Sequence, residues 1–544
     1  MTGNEWSLPA VLDVGAEVAP DREMLVWTTV RRTYAEVQDR TRRLAAFFAH
    51  QGLGVRREPA QLERWEGGQS PVAILLSNCP EYLETMIGAF RARAVPFNVN
   101  HHYRPGEVAA LLDQVGAEAV VYHRRLAPLL SRFAGLGGCV LVDVDDGSGV
   151  APLTGSTPFE SVIAEVTGGD ELPVPSPDDR YLVCTGGTTG TPKAVLWRQA
   201  DAYVGAMGGT EGATRDQLAR IVEAGAGVWF AAPPLMHGAA QWTAFSGLHN
   251  GATIVLHDDA TPFDARTILE TVQRERVTLM SIVGDAYARP LLDEIGARSY
   301  DLSSLLRLGT GGAITSAALK HALLGRLPHL TIVDGYGASE TGGMAYGAST
   351  KDQETRQFGL AAGAAVLSAD RSRFLEPGED EIGWTARTGR IPLGYLDDPA
   401  KTDRTFPVIG GQRVSVPGDR ARYTADGRMV ILGRDATVVN TGGEKVFVEE
   451  VEEVLRRHPD ILDALVVGRP CERFGEEVVA LVLARAGAQL SPRDVREFAA
   501  GSVARFKAPR AVLLCDRIGR HPSGKADYAW ARRAALNAVP AVVP

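Results

Sequence analysis

Five short stretches carry residue types suited to chemistry on a phosphate-bearing ligand. The densest is CTGGTTGTPKAV at 184–195, which sets four Thr and three Gly in seven positions ahead of Lys193. Glycines let the backbone turn tightly and present N–H groups to an anion, and threonine hydroxyls add donors. A lysine at the end neutralises phosphate charge. Pro192 precedes that lysine and no G-x-x-x-x-G-K spacing occurs, so this is not a Walker A loop. The second stretch is DGYGASETG at 334–342. Tyr336 offers a ring able to stack on a base, and Glu340 offers the kind of carboxylate that holds Mg²⁺ beside phosphates. The third is VPGDRARYTADGRMVILGR at 416–434, with Asp419 and Arg434 flanking a hairpin expected to turn at Asp426 and Gly427. An aspartate can accept hydrogen bonds from both ribose hydroxyls. The fourth and fifth are NTGGEK at 440–445 and HPSGK at 521–525. Taken singly, the last four read as turns with solvated charges. Their order and spacing together form the signal.

These stretches need elements to position them. Thr33 and Glu36 match a capping box, so a helix is expected from Thr33, with Val37, Leu44 and Phe48 on its apolar face and Gly52 and Gly54 beyond its end. Short apolar runs at 72–76, 119–122, 139–142, 181–184, 253–256 and 278–283 read as strands, with helical stretches such as 107–115 between them. A strand at 331–333 leads into the second motif. Strands alternating with helices predict an α/β fold of largely parallel sheets covered by helices. The charged segment 55–70 lacks an apolar period and is expected to be a surface loop or a short exposed helix. After residue 433 the pattern changes to strand 438–440, helix 448–457, strands 464–468 and 478–484, helix 492–506 and strand 511–514. This predicts two domains, a large one over 1–433 and a small, mobile α+β domain over 434–544.

Composition narrows the function classes. The 544 residues carry a formal charge of −9, which argues against a protein whose main task is binding nucleic acid. The five cysteines, Cys79, Cys139, Cys184, Cys471 and Cys515, are scattered and odd in number, so neither a disulfide framework nor a structural zinc site is expected. His101 and His102 are sequence neighbours pointing different ways, with no third ligand evident, and are read as structural or substrate-side residues. The first residues lack the apolar core of a signal peptide, and no stretch is long enough to span a membrane. A cytoplasmic location is expected.

In this order the five motifs resemble those of the adenylate-forming superfamily over roughly residues 20–533. That superfamily contains acyl- and aryl-CoA ligases, peptide-synthetase adenylation domains and luciferases. TGGTTGTPK resembles its phosphate loop, YGASE its aromatic-Gly-x-Thr-Glu motif, and GDRARY, GRDATVVNTGGEKV and PSGK its ribose, hinge and C-terminal lysine motifs. CTGGTTGTPKAVLWRQ, PPLMHGAAQW, GDAYARPL, RIPLGYLDDPAKT and NTGGEKVFVEEVEEVL are similar to actinobacterial acyl-CoA ligases of the steroid side-chain type.

The resemblance implies ATP, Mg²⁺ and coenzyme A as ligands, a small-molecule acid as substrate, and a homodimer. It implies that Thr185, Gly186, Gly187, Thr188, Thr189, Gly190 and Lys193 cradle the β,γ-phosphates. Ser339 would bond the α-phosphate and Glu340 would bind Mg²⁺. Gly311, Gly312, Tyr336 and Gly337 would border adenine, and Asp419 and Arg434 would fix the ribose. Lys445 lies in the hinge motif and is carried over as a nucleotide contact. Lys525 would be the catalytic lysine. The small domain would close for adenylation, then rotate to bring Gly442 and Gly443 to the pantetheine tunnel. His237, Gly309 and Ala313 would line the acyl pocket.

Four departures stand out: Ala194 after the loop lysine where relatives carry glycine, Ala436 where many carry an acidic hinge residue, the insertion at 55–70, and GTGGAIT at 309–315 with DGYGASE at 334–340, which differ around the acyl pocket from the steroid-type ligases. The leading expectation is an AMP-forming acid–CoA ligase. An ATP-dependent diazotase of secondary metabolism, adenylating nitrite for attack by an aromatic amine, is the alternative. A non-catalytic nucleotide-binding relative is a further one, weakened by the joint presence of Lys193, Glu340, Asp419, Arg434 and Lys525. No carrier domain is expected after Lys525.

Overall fold

The computed structural model describes residues 4–166, 172–185, 193–260, 263–353, 357–434, 437–441, 444–471, 475–521 and 524–538. Thr33 caps the helix Tyr34–His50 through the expected box, with reciprocal bonds between Thr33 and Glu36. The apolar runs form strands of two helix-covered sheets, except 181–184, which lies in a small antiparallel sheet instead of a parallel one. One has five parallel strands in the order Val95–Asn98, Pro71–Leu75, Ala119–His123, Val140–Val144, Thr157–Pro158. The other has nine, in the order Gly359–Leu360, Gly342–Ser349, Thr331–Ala338, Arg307–Thr310, Leu279–Ile282, Val228–Ala231, Thr253–Leu256, Glu23–Trp27, Val30–Thr33. Its inner pairings are parallel and both edges are antiparallel.

Helix Pro80–Arg91, buried at every residue but Glu81, shares a core with helix Gly238–His249. Phe90 is the contact point, packing its ring edge-on against both Phe245 and Tyr181. Glu84 on that buried helix is held by a two-pronged bond from Arg40, at 2.8 and 2.9 Å.

Two antiparallel sheets depart from the parallel scheme. One runs Ala364–Leu367, Gly383–Arg387, Asp419–Tyr423, Met429–Arg434. Its last hairpin turns at the expected place, with Gly427 at φ +78°. The other joins Gly394–Tyr395, Lys193–Arg198 and Arg180–Thr185.

The smaller C-terminal domain has its own sheet: Glu444–Val446, Val439–Thr441, Gly475–Ala484 and Ile461–Cys471, with Ala511–Leu514 parallel to Gly475–Ala484. Helices Val448–Arg456 and Pro492–Ala500 cover it, and Val451, Leu455, Val466, Val482 and Val495 share its core. The second helix stops short of the expected 506, at Gly501 and Ser502, which break the helical run. The strand expected at 464–468 runs over Ile461–Cys471 because its hairpin partner starts at Gly475 and pairs with it along its whole length.

Segment 55–70 is a loop closed by a bridge between Val55 and Gln69, with one short 3-10 turn at Pro59–Gln61. Its far end rests on the main body, where the Asp397 N–H donates to the Trp65 carbonyl at 2.8 Å. No helix among the described residues is long and apolar enough to cross a membrane.

Candidate active site

Burying an ionised side chain requires partners that replace its water. Glu340 is only 8% exposed, and its Oε1 accepts a hydrogen bond from the Tyr395 hydroxyl at 2.7 Å. Lys193 Nζ stands 3.9 Å from the same oxygen. Tyr395 belongs to the strand paired with Lys193–Arg198, so one small sheet delivers both the ammonium and the hydroxyl to Glu340. Lys401 Nζ lies 4.5 Å from the Tyr395 ring centre and adds a second cation.

The turn carrying Ser339 and Glu340 is pinned through its carbonyls. Trp197 Nε1 donates to Ser339 O at 3.1 Å, and Ser415 Oγ donates to Glu340 O at 2.5 Å. The buried Arg387 donates to Thr341 O and Gly343 O at 2.5 and 2.8 Å. Gly337 sits in strand Thr331–Ala338, which runs through the motif instead of ending at 333.

Asp419 is the second buried carboxylate of the site. Its Oδ2 accepts from the Tyr336 hydroxyl at 2.5 Å, and Tyr336 Oη also lies 3.2 Å from Thr385 Oγ1. The hairpin places Asp419 directly opposite Arg434. Gly309 lies within strand Arg307–Thr310, and Gly311, Gly312 and Ala313 follow it. A Cβ on Gly311 would come 3.0 Å from the Gly335 carbonyl, so a side chain here would push this turn a few tenths of an ångström off the Tyr336 strand.

His237 precedes helix Gly238–His249, in a loop fixed by two asparagines. Asn78 Oδ1 accepts from Leu235 N at 2.7 Å, and Asn98 Nδ2 donates to Met236 O at 2.6 Å. Asn98 also bonds both backbone groups of Cys184, tying the base of the Thr/Gly loop to the His237 loop. Burial pushes the His237 imidazole down to about 3, and the positive charge of Lys525 pushes in the same direction.

Lys525 reaches this region from the small domain. The neighbouring Gly524 fits against Val283 and Ala286 at the start of helix Gly284–Ala297, so closely that a Cβ there would come 3.1 Å from Ala286 Cβ. Arg520 fixes the turn by donating to Gly524 O at 3.0 Å while gripping Asp463 at 2.7 and 2.8 Å.

The structure therefore gathers Lys193, Ser339 and Glu340 at one end, Tyr336 and Asp419 at another, and brings Lys525 within electrostatic reach of His237. Thr185 closes strand Arg180–Thr185 opposite Lys193. Gly186, Gly187, Thr188, Thr189 and Gly190, with Ala436, Gly442 and Gly443, lie outside the described residues, as do the side chains of Arg434 and Lys445. Reading the sequence for motifs passes over Tyr395, Ser415, Asn78 and Asn98. Tyr395 is legible only as part of RIPLGYLDDPAKT, and nothing in that string signals its contact with Glu340.

Mg²⁺ suits this donor set. It is commonly held by one or two carboxylates with substrate phosphates and water, and Glu340 supplies a carboxylate beside cations suited to phosphates. Among the described residues no cluster of three or more His, Cys, Asp or Glu forms a self-sufficient metal site.

Two parallel sheets under helices, with a small α+β domain bringing a lysine to the ends of their strands, define the adenylate-forming class of enzymes. The chain belongs to the AMP-binding enzyme family: that family's model matches residues 12–380, and the model of the AMP-binding enzyme C-terminal domain matches 450–525. It is 41% identical to the medium-chain acyl-CoA ligase Mig of Mycobacterium avium, over 98% of this chain and 99% of that one. It is 36% identical to the 3-oxocholest-4-en-26-oate–CoA ligase of Rhodococcus rhodochrous, over 95% of this chain and 93% of that one. In fold it is similar to the anthranilate CoA ligase AuaEII in complex with anthranoyl-AMP, with a TM-score of 0.80, 20% identity and 98% of each chain covered.

Proposed function

We propose that this chain is an AMP-forming acid–CoA ligase. The observation that carries the reading is the shared Glu340 carboxylate, held by Tyr395 and faced by Lys193, together with a Lys525 whose charge acts on His237. The CoA ligases among its relatives support it.

In the first step a carboxylate oxygen of the acid attacks the α-phosphorus of ATP, and pyrophosphate leaves. Lys193 and the threonines from Thr185 onward bind the β,γ-phosphates. Ser339 bonds the α-phosphate. Asp419 accepts from the ribose hydroxyls, with Arg434 beside it, and Tyr336 borders adenine with Gly311, Gly312 and Gly337. Glu340 would hold Mg²⁺, which when bound would offset phosphate charge. Lys525 stabilises the charge that shifts onto the α-phosphoryl oxygens. In the second step the thiol sulfur of coenzyme A attacks the acyl carbon, and AMP leaves.

We take residues 1–433 as the nucleotide-binding domain and 434–544 as the lid. Gly433 supports that boundary. It has φ +105°, a conformation that residues with a side chain rarely adopt, and a Cβ there would also displace the Glu449 carboxylate. The lid closes for adenylation and rotates for thioester formation. A cytoplasmic location and a homodimer complete the reading.

Product mass spectrometry tests it. The pure protein is given ATP, Mg²⁺ and pooled fatty, steroidal and aromatic acids, with and without coenzyme A. An acyl-CoA product is expected. A diazo product formed from nitrite and an aromatic amine, with ATP but without coenzyme A, would overturn the acid–CoA reading.

A further inference from the structure

Beyond His237 lies a concentration of buried polar atoms that no protein group completes. Among the described residues, His101 Nε2, His237 Nε2, His257 Nε2 and Asp259 Oδ2 have no hydrogen-bond partner. The His101 and Asp259 side chains are 6% and 9% exposed. Buried polar atoms are normally paired, and leaving them bare is costly. Here they share one neighbourhood. His101 packs edge-on against His102, with ring centres 4.4 Å apart, so the two do not point apart as expected from their adjacency in sequence, because the residues following strand Val95–Asn98 turn both rings together. His101 and His102 couple electrostatically to His237, and Asp259 to His257 and Tyr287, which puts these groups close together.

Their place in the fold points to a ligand. His101 follows strand Val95–Asn98, His237 follows Val228–Ala231, and His257 and Asp259 follow Thr253–Leu256. All three are strands of the parallel sheets, and ligands of open α/β sheets bind beyond the carboxyl ends of the strands. Asp259 is also braced, since its Oδ1 accepts from Asn78 N at 2.6 Å while Oδ2 stays open.

We propose that His101, His257 and Asp259 form a subsite for a hydroxyl or amino group carried by the acid substrate at the end remote from its carboxylate. The inference rests on the acid-activating reading above. His237 is near enough to both regions to couple electrostatically to Lys525 and to His101 and His102. An acid whose carboxylate meets the α-phosphate near Lys525 and whose body passes His237 brings its far end to this cluster.

The geometry selects the chemistry. His101 Nε2 and Asp259 Oδ2 face each other across 3.8 Å, too far to bond and close enough for one oxygen or nitrogen beside them to bond both. An aliphatic end leaves both bare. A second carboxylate meets the Asp259 oxygen and finds no histidine cation to offset it: burial pushes His101 down to about 4 and lowers His257 as well.

The test uses the full-length enzyme with ATP and Mg²⁺ and reads pyrophosphate release, which needs no coenzyme A. Its substrates are matched triplets: decanoate with its ω-hydroxy and ω-amino forms, and benzoate with its 4-hydroxy and 4-amino forms. In at least one triplet a substituted acid is expected to exceed its plain parent by about tenfold or more in kcat/KM, as sites built to bond a polar group do. The hydroxy and amino arms separate the two donors. Asp259→Asn keeps an acceptor for Asn78 and turns the open position into a donor. It is expected to erase the preference for the amino acid and to reduce the hydroxy preference less. His101→Phe is expected to lower both ratios. Equal kcat/KM across every triplet, or ratios unmoved by both variants, would overturn the subsite and leave the activity standing. Release with none of the acids would overturn the acid-activating reading and the subsite with it.

Discussion

At the nucleotide end of the cleft, the Ser339–Glu340 turn is clamped by Trp197, Ser415 and Arg387, and the Glu340 carboxylate is oriented by Tyr395. At the other end, His101 Nε2 and Asp259 Oδ2 face each other unbonded. The difference follows from what each end is asked to bind in the proposed reaction. ATP never changes, so its carboxylates can be fixed in advance, and preorganised groups lose little on binding. A second substrate differs from enzyme to enzyme, so its polar contacts are completed only when it arrives.

Removing Lys525, proposed as the catalytic lysine, puts this contrast under the most severe strain. Lys525→Ala is expected to lower adenylate formation by about a hundredfold or more while ATP affinity stays nearly unchanged. Retained turnover in a pyrophosphate-release assay would remove Lys525 from the catalytic role.

The histidines give the next largest effect. Burial holds His101 and His123 near 4, and His237 and His249 near 3, against an ordinary value of 6.5. With pKa values depressed in the fold, the unfolded chain takes up these protons first. Stability is then full above about pH 6.5 and falls as pH drops toward 4, by about 1.4 kcal/mol per pH unit for each histidine. Thermal melts at about pH 7.5, 6.5, 5.5 and 4.5 should show this decline, and a flat melting temperature would contradict it.

Asp419→Ala should weaken ATP binding by about tenfold or more, since it removes the proposed acceptor for the ribose hydroxyls and one partner of the Tyr336 hydroxyl. Calorimetry with ATP reads this directly, and unchanged affinity counts against the ribose role. Tyr395→Phe should have the smallest effect, a few-fold rise in KM for MgATP with kcat less affected, because it frees Glu340 without removing it. An equal fall in kcat and kcat/KM would mean that the hydroxyl acts in the transition state instead.

Local patterns in the sequence suffice where one interaction decides the structure. The Thr33 box, the Asp426 and Gly427 turn and the strand Thr253–Leu256 are of this kind. Strand length is legible only in part, because it depends on a partner: Ile461–Cys471 extends as far as Gly475–Ala484 accompanies it. The motif residues Glu340, Asp419 and Lys525 are legible from type and order. Tyr395 is not, since its contact with Glu340 joins residues 55 apart through a strand pairing that no local pattern announces. Asp259 is hidden for the same reason, as its neighbour His101 arrives from a different sheet.

The placement of strand Glu23–Trp27 bears on how this chain is made. Its parallel neighbour is Thr253–Leu256, and Thr253 Oγ1 donates to Glu23 O across 230 residues of sequence. Until that distant segment leaves the ribosome, the early strand has only its hairpin mate Val30–Thr33, and an isolated hairpin is marginally stable in water. Val26, whose buried side chain shares a core with Phe230, Val255 and Ile268, stays uncovered meanwhile. Such long-range parallel pairing is slow to form and exposed to aggregation. Slower synthesis at low temperature should therefore raise the soluble yield more than any added ligand, because ATP has no site to hold until the sheet has closed.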